Sequence, residues 1–302
     1  MIESAYAVKP HPLSIVIFSK DRAAQLDLCL KSIYKNLSSL SEHWKIYVIY
    51  TASSEDFEDG YNQLIKEFYS KPNPIFFFPE KKYNGFKKTL EYCIKHWEDY
   101  VLFFTDDDIV YRNYEHTFDL LESEFKRDED LLAVSLRLGC NTFIQDQYEN
   151  KMCPIPDEVI TDESLIRKWL WKHEPMDANF AYPFSLDGTI FPSRIAKKII
   201  KMSPKYNNPN SLEGKVYGKI KSNLDSLESS MGCFEKSVVV NTPLNRVQET
   251  CANGAGKFFG SSPEELNKTF LGGNRLVLGG MDFSTIIGAH QELKLCWGEK
   301  CS

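Results

Sequence analysis

The chain has 302 residues with 42% hydrophobic and 26% charged side chains, the proportions of an ordinary globular protein long enough to bury a sizeable core. Its net charge of −6 and isoelectric point near 5.6 argue against a nucleic-acid backbone as partner. No stretch reaches the roughly 20 apolar residues of a membrane span, and the opening MIESAYAVKPHPLS lacks the basic start and apolar core of a signal peptide. A cytoplasmic protein with at most peripheral membrane association is expected. The 8 cysteines, Cys29, Cys93, Cys140, Cys153, Cys233, Cys251, Cys296 and Cys301, form no CxxC pair, so no zinc or redox motif is indicated and reduced thiols are expected.

In chain order, Leu13–Ser19 (LSIVIFS) reads as a buried strand, followed by the polar loop Ser19–Arg22. A helix over Ala23–Asn36 places Leu26, Leu30, Ile33 and Leu37 on one face. Trp44–Tyr50 is a second strand. Ser53 or Ser54 caps the next helix, with Glu55 and Asp56 in its first turn and Leu64, Ile65, Phe68 and Tyr69 on its apolar side. Pro74–Phe78 is a third strand. Asn84 caps a helix with Phe86, Leu90, Ile94 and Trp97 at helical spacing. Tyr100–Thr105 is a fourth strand, Tyr114–Phe125 a helix and Leu131–Leu136 a fifth strand. Such alternation implies an α/β fold with a parallel sheet and right-handed crossovers. After Arg137 the pattern loosens. A short helix is expected near Glu163–Trp171, a strand at Thr189–Phe191, a helix at Ser193–Met202, a turn at Lys205–Asn210 and a helix from Ser211 towards Leu227. Ser237–Asn241 reads as a strand. Ser262, Pro263 and Glu265 spell a helix start with cap, first-position proline and capping-box acid. No linker separates independent domains.

The informative stretch is Tyr100–Arg112 (YVLFFTDDDIVYR). A strand buried on both faces cannot hold three carboxylates inside, because each would lose its hydration. Asp106, Asp107 and Asp108 must therefore emerge at its C-terminal end, where ligands bind in open α/β sheets. Three adjacent carboxylates repel one another. A hard divalent cation shared with substrate phosphates would offset them; the alternative is a solvated acidic turn.

The order SIVIFSKDR, alternating elements, FFTDDD and a mixed second half resembles a GT-A-fold glycosyltransferase of the family 2 type. The resemblance implies one GT-A domain over 1–302, with a mostly parallel central sheet flanked by helices. Residues 1–136 would form the nucleotide-sugar half and 137–302 a mixed acceptor half. It implies a nucleotide-sugar donor, a UDP-sugar by analogy, and Mn2+ or Mg2+ at the family's DxD motif. Asp106 and Asp108 match the metal-binding acids, and Asp106 and Asp107 also border the donor. His290 matches a C-terminal histidine that completes the metal shell in some members. Phe18, Ser19 and Arg22 resemble the loop bordering the nucleoside, with Arg22 suited to a phosphate. Thr51 and Ser53 lie where the second strand meets the base, without the acid the family often has there. Asn84, Gly85 and Lys87 resemble the turn covering the nucleotide, where a glycine admits close approach and a helix N-terminus suits an anion. Leu186–Ile195 resembles the strand lining the acceptor. Glu213, in a first helical turn facing the cleft, matches the catalytic acid, with Asp187 as competitor.

The implied reaction is inverting glycosyl transfer, polysaccharide biosynthesis on a glycan or lipid-linked glycan being the family's setting. The metal would neutralise the departing diphosphate, and Glu213 would take the acceptor's proton. Trp169, Trp171, Tyr182, Phe184 and Phe191 cluster near the acceptor segment, either as stacking platforms or as core. Asn245-Arg246-Val247-Gln248 is polar after a strand and returns to the cleft in this reading. A sugar-phosphate nucleotidylyltransferase would need a glycine-rich basic loop after the first strand, which SKDRAAQ does not supply. A non-catalytic nucleotide-sugar or glycan-binding module would share the acids without turnover. The GxGxxG and GxxxxGK[ST] fingerprints are both absent.

Overall fold

The computed structural model describes residues 12–69, 71, 73, 75–146, 151–157, 166–175, 178–247 and 255–299. In chain order the strands are β1 (Leu13–Lys20), β2 (Trp44–Thr51), β3 (Ile75–Pro79), β4 (Tyr100–Thr105), β5 (Asp108–Val110), β6 (Leu131–Ser135), β7 (Ile144–Asp146), β8 (Lys151–Met152), β9 (Arg167–Leu170), β10 (Thr189–Pro192), β11 (Ser230–Cys233), β12 (Val239–Asn241), β13 (Asn274–Leu276) and β14 (Trp297–Glu299). The α-helices are α1 (Ala23–Asn36), α2 (Glu55–Phe68), α3 (Phe86–Cys93), α4 (Phe118–Arg127), α5 (Ser193–Lys201), α6 (Pro209–Ser222) and α7 (Pro263–Leu271).

An eight-stranded sheet runs in the order β3-β2-β1-β4-β10-β6-β11-β9. Its first four strands are parallel, as strand–helix alternation demands. Residues alternate between the two faces of β1. Leu13, Ile15 and Ile17 meet α1, α2, α4 and α7, while Val16 and Phe18 meet α3, α5 and α6. Both faces are thus covered by helices, and this α/β architecture agrees with the fold class expected from sequence.

Local chemistry explains most boundaries. Ser54 caps α2 by accepting from the Phe57 amide, and Ser262 and Glu265 close the capping box of α7. Asn208 caps α6, with Pro209 in its first turn, so this helix begins earlier than Ser211 and ends at Ser222. Several expectations are corrected. Helix α4 starts at Phe118, because the Tyr114 amide is bound to the Asn36 carbonyl and only at Thr117 does a cap appear. Asn84 does not cap α3; it sits in the left-handed region, with φ +59, and Gly85 at φ +100 precedes the helix. Tyr69 is exposed rather than on the apolar side of α2. Arg167–Leu170 is a strand, antiparallel to β11, and not a helix. Sheet pairing overrides its apolar spacing, and buried Lys168 is held by Asp128 at 2.9 Å and Glu124 at 3.4 Å. The rest of that expected helix, Glu163–Leu165, lies outside the described residues, as do Gln248, Cys251, Cys301, Pro74 and the opening residues 1–11. Cys29 and Cys93 are buried thiols that take part in no disulfide. Among the described residues no helix is long and apolar enough to cross a membrane.

Two departures from plain alternation position the site. Strand β10 enters antiparallel between β4 and β6, so its first residue, Thr189, pairs with Phe103 near the C-terminal end of β4. Beyond the acidic turn, β5 leaves the main sheet and pairs antiparallel with β12, with Asp108 opposite Asn241.

Candidate active site

Strand β4 is buried along its length, so its first polar positions, Thr105 onwards, fall where the sheet ends. The antiparallel entry of β10 brings Asp187 to the same end. Gly188, at φ +59, allows the turn before β10; an added Cβ would stand 3.1 Å from the Val239 side chain. Helix α6 supplies Glu213 from its second turn, where Oε1 accepts from the Leu186 amide at 2.7 Å. The pairing of β5 with β12 supplies Asn241, and the isolated bridge between Asn241 and His290 brings in the histidine.

The acids fall into two surroundings. Asp106 accepts from the Ser19 hydroxyl at 2.8 Å, the Lys20 amide at 3.1 Å and Arg22 Nη1 at 2.9 Å. Asp108 accepts from the Thr105 amide at 2.8 Å and from Asn241 Nδ2 at 3.1 Å. Asp107 joins them, meeting Arg22 Nη1 at 3.0 Å through one oxygen and Thr105 Oγ1 at 2.8 Å and Asn241 Nδ2 at 3.0 Å through the other. Asp106 and Asp108 share none of these partners. Asp106 and Asp108 are 3% and 0% exposed, and Asp107 is the half-buried member of the triplet.

Thr105 Oγ1 lies 2.8 Å from Asp107, 3.3 Å from Asp108 and 2.9 Å from Asp187. One hydroxyl has one proton to donate, so at most one of these contacts is an ordinary hydrogen bond from Thr105. The charge strain shows in the pKa directions. Burial pushes Asp106 up to about 6, against the pull of Arg22. Burial, then Asp187 and Asp107, raise Asp108 well above the carboxylate range. Asp187 is raised by burial and opposed by Arg137. Glu213 is pushed up to about 8 by burial and by Asp187.

Arg137 is the second cation at the site. Its Nη1 is 2.5 Å from His290 Nε2 and its Nη2 donates to the Ser185 hydroxyl at 3.2 Å. His290 Nε2 therefore accepts, and Nδ1 donates to Asn241 Oδ1 at 3.1 Å. Burial, with Arg137 adding to it, lowers the imidazole pKa far below its usual value, which keeps the ring neutral. His290 reaches the acids through Asn241 rather than by direct contact.

The remaining expected residues divide. Ser19 and Arg22 are in the site, but Arg22 is occupied: besides the acids it donates from Nε to Asn245 Oδ1 at 2.7 Å and from Nη2 to the Asn245 carbonyl. Asn245 thus returns to the cleft as expected, whereas Arg246 is exposed. Only the carbonyl of Phe18 reaches the site, accepting from the Asp106 amide at 3.0 Å; its ring is packed against Phe86 and Phe103. The Thr51 carbonyl and Ser53 amide bind Asp21, at 3.2 and 2.7 Å, which fixes the loop after β1. Asn84 is exposed beside Gly85, and Lys87 donates to the Pro204 carbonyl at 2.7 Å, tying α3 to the α5–α6 connection. Trp169, Trp171, Phe184 and Phe191 are core, at most 2% exposed; of the aromatic cluster only Tyr182 stays half-buried, against Tyr217.

Sequence reasoning missed Thr105, Arg137 and Asn241 as site residues. All three are polar residues that end apolar strand runs, the same signal that singled out the triplet. Glu80, just after β3, is pushed up to about 7 by burial while Lys20 opposes the shift.

Among the described residues no three acidic, histidine or cysteine side chains form a ready cage for an ion. Mg2+ and Mn2+ sites commonly use one or two carboxylates and complete their shell with phosphate oxygens and water. The donor chemistry at Thr105 fits such an ion: oxygen ligands, excess negative charge and more acceptors than protons.

No family model matches the chain. Its fold resembles that of GT-A glycosyltransferases. In sequence it is 28% identical over 229 residues, 68% of its length, to the bifunctional glycosyltransferase pgtA of Dictyostelium discoideum, and spans 28% of that protein. Solved structures with related folds include TarS of S. aureus (TM-score 0.45, 11% identity, 75% of this chain and 36% of that one). GalNAc-T7 with UDP, GalNAc and Mn2+ has a TM-score of 0.44 and 13% identity, over 86% of this chain and 47% of that one. The mannosyltransferase PcManGT of Pyrobaculum calidifontis, with GDP-Man and Mn2+, has a TM-score of 0.31 and 15% identity, over 42% of this chain and 35% of that one.

Proposed function

We propose that the protein is a metal-dependent glycosyltransferase, moving a sugar from a nucleotide-diphosphate donor to a hydroxyl of a glycan or lipid-linked glycan. The observation that carries this reading is the excess of carboxylate oxygens around the single Thr105 hydroxyl, at the sheet end where α/β folds bind ligands. Asp107 and Asp108, with Asp187 beside them, would hold Mn2+ or Mg2+. When bound, that ion offsets charge on the departing diphosphate.

The chain's own residues do the rest. Arg22, Ser19 and the Lys20 amide hold Asp106 in one orientation, and Asn241 holds Asp107 and Asp108 in another. Glu213, whose pKa burial and Asp187 push up to about 8, would take the acceptor hydroxyl's proton in its ionised form, so transfer is expected to rise towards about pH 8. Attack opposite the leaving diphosphate inverts the anomeric centre. A UDP-sugar is the favoured donor by resemblance, and residues 1–136 and 137–302 act as the donor and acceptor halves of one domain.

The test is a thermal-shift panel of UDP- and GDP-sugars with Mn2+, Mg2+ or EDTA, followed by an assay of nucleotide release. A ligand that binds the native state raises its melting temperature. The expected result is a donor-specific rise that needs the metal, with release abolished in Glu213→Gln although the rise persists. No rise and no release under any condition would refute the reading. Metal-dependent binding without any turnover would assign a binding module instead.

A further inference from the structure

Between residues 193 and 221 the sequence holds eight lysines and arginines and a single acid, Glu213, in a chain with 36 basic and 42 acidic residues overall. Helices α5 and α6 account for this stretch. Both turn their apolar sides to the same core: Ile195, Ala196, Ile199 and Ile200 from α5, and Leu212, Val216 and Ile220 from α6. Their cations therefore share the outer side of one helical layer. Arg194, Lys198 and Lys201 of α5 and Lys215, Lys219 and Lys221 of α6 are all exposed. The one acid of the stretch is unavailable to them, because Glu213 points into the active site and binds the Leu186 amide. Among the described residues only Glu228 approaches, at 3.9 Å from Arg194 and 4.0 Å from Lys198. Among the described residues no carboxylate pairs with Lys201, Lys215, Lys219 or Lys221.

From this we infer that the α5–α6 face is a docking surface for an anionic lipid bilayer. Like charges set side by side on two helices repel one another, so an unneutralised face of this kind is complementary to an extended negative surface. The two helices, of 9 and 14 residues, give a face about 13 and 21 Å long along their axes, broad compared with a Debye length of about 8 Å at physiological salt. Seven of the eight cations are lysine. Lysine is a hydrated point charge on a flexible stem, suited to mobile headgroups, whereas ordered phosphate recognition favours the planar arginine fork. Bases of single-stranded nucleic acid call for stacking platforms, and the aromatic ring within the face, Tyr217, already has Lys221 over it at 5.2 Å. Docking rests on this charge placement alone and is independent of the reaction. It would bring α6, which also carries Glu213, against the headgroups.

The experiment is sedimentation of the full chain with phosphatidylcholine vesicles, with and without phosphatidylglycerol, at low and at physiological salt. Three proteins are compared: the wild type, a variant with Lys198, Lys201, Lys215 and Lys219 changed to Glu, and a control with Lys35, Lys66, Lys126 and Lys268 changed to Glu. The control residues lie on α1, α2, α4 and α7, across the sheet, and give the same net charge. Each cation at a bilayer strengthens binding about fivefold. The α5–α6 variant should therefore lose more than about a hundredfold in partitioning, while the control stays near wild type and binding weakens with salt. Circular dichroism and melting curves check that both variants fold. Equal partitioning onto neutral vesicles, no partitioning onto anionic ones, or equal losses in both variants would overturn the proposal. So would tighter binding to duplex DNA or heparin than to the anionic vesicles.

Discussion

Replacing Glu213 with Gln should stabilise the protein, and increasingly so as pH rises. Gln keeps the oxygen that accepts from the Leu186 amide and removes the charge. Below the ordinary glutamate pKa of 4.5, both folded and unfolded chains carry the proton and nothing is gained. Between 4.5 and about 8 the unfolded chain loses its proton while the folded chain keeps it, because burial and Asp187 raise the folded pKa. The folded state then binds more protons, so stability falls with rising pH until the folded group also ionises. The full shift corresponds to a ceiling of about 5 kcal/mol. Relaxation, water entry and coupled titration with Asp187 reduce the expected effect to about 1–3 kcal/mol. At about 2 °C per kcal/mol for a chain of this size, the variant should melt about 2–6 °C above wild type at pH 8, and within about 1 °C at pH 4.5. Melting curves across this range, in EDTA, measure it. A variant that melts below wild type at pH 8, or a difference that does not change with pH, would show that Glu213 is not held in a charge-disfavouring site.

The other side chains give further outcomes. Arg22→Met leaves Asp106 and Asp107 without their cation and should cost about 3–5 kcal/mol in urea unfolding at pH 7. The loss should shrink near pH 5, since Asp106, with a pKa of about 6, is then protonated. Asn241→Asp places another carboxylate opposite Asp108, against both acids that Asn241 now serves as donor. It should lower the melting temperature at neutral pH by more than Asn241→Ala does. Asp107→Asn should diminish or abolish the Mn2+-dependent shift seen with a donor while leaving the metal-free melting temperature equal or higher. Asn208→Ala removes the oxygen that caps the Ser211 amide and should cost about 1 kcal/mol by chemical denaturation.

What the sequence made legible follows from which forces are local. Helix α1 was readable to the residue because an apolar stripe must be buried somewhere, whatever covers it. The same holds for β4, whose run of apolar residues ends where the carboxylates begin, and for α7, whose cap is a local hydrogen bond. Strand β9 was misread because Trp169 and Leu170 suit either period, and pairing with β11, more than sixty residues on, decided the matter. Arg22 was legible as a site residue but not in its role. Only the fold brings Asn245 to the far side of its guanidinium and so commits it to holding the acids in place.

The least legible feature is also the one that makes the site. A purely parallel sheet would have set β6 beside β4 and left the acidic turn alone at its end. Antiparallel entry of β10 between them delivers Asp187 to the same point, with Gly188 admitting the turn under Val239. The ribbon of β5 and β12 then shields Asp108 with an amide rather than a cation. Each step adds a carboxylate or removes a way of neutralising one. The cations present, Arg22 and Arg137, stand at opposite ends of the cluster, one on Asp106 and Asp107 and the other towards Asp187 and Glu213. The centre, at Thr105, is left with the carboxyl oxygens of Asp107, Asp108 and Asp187 and only neutral donors, the Thr105 hydroxyl and amide and the Asn241 amide. Burying these carboxyl groups so close together makes ionising them costly in the empty protein, so Asp108, Asp187 and Glu213 hold their protons more tightly than free acids do. A cation at the centre, as the proposed function requires, would offset that cost, and the same geometry would then favour its binding.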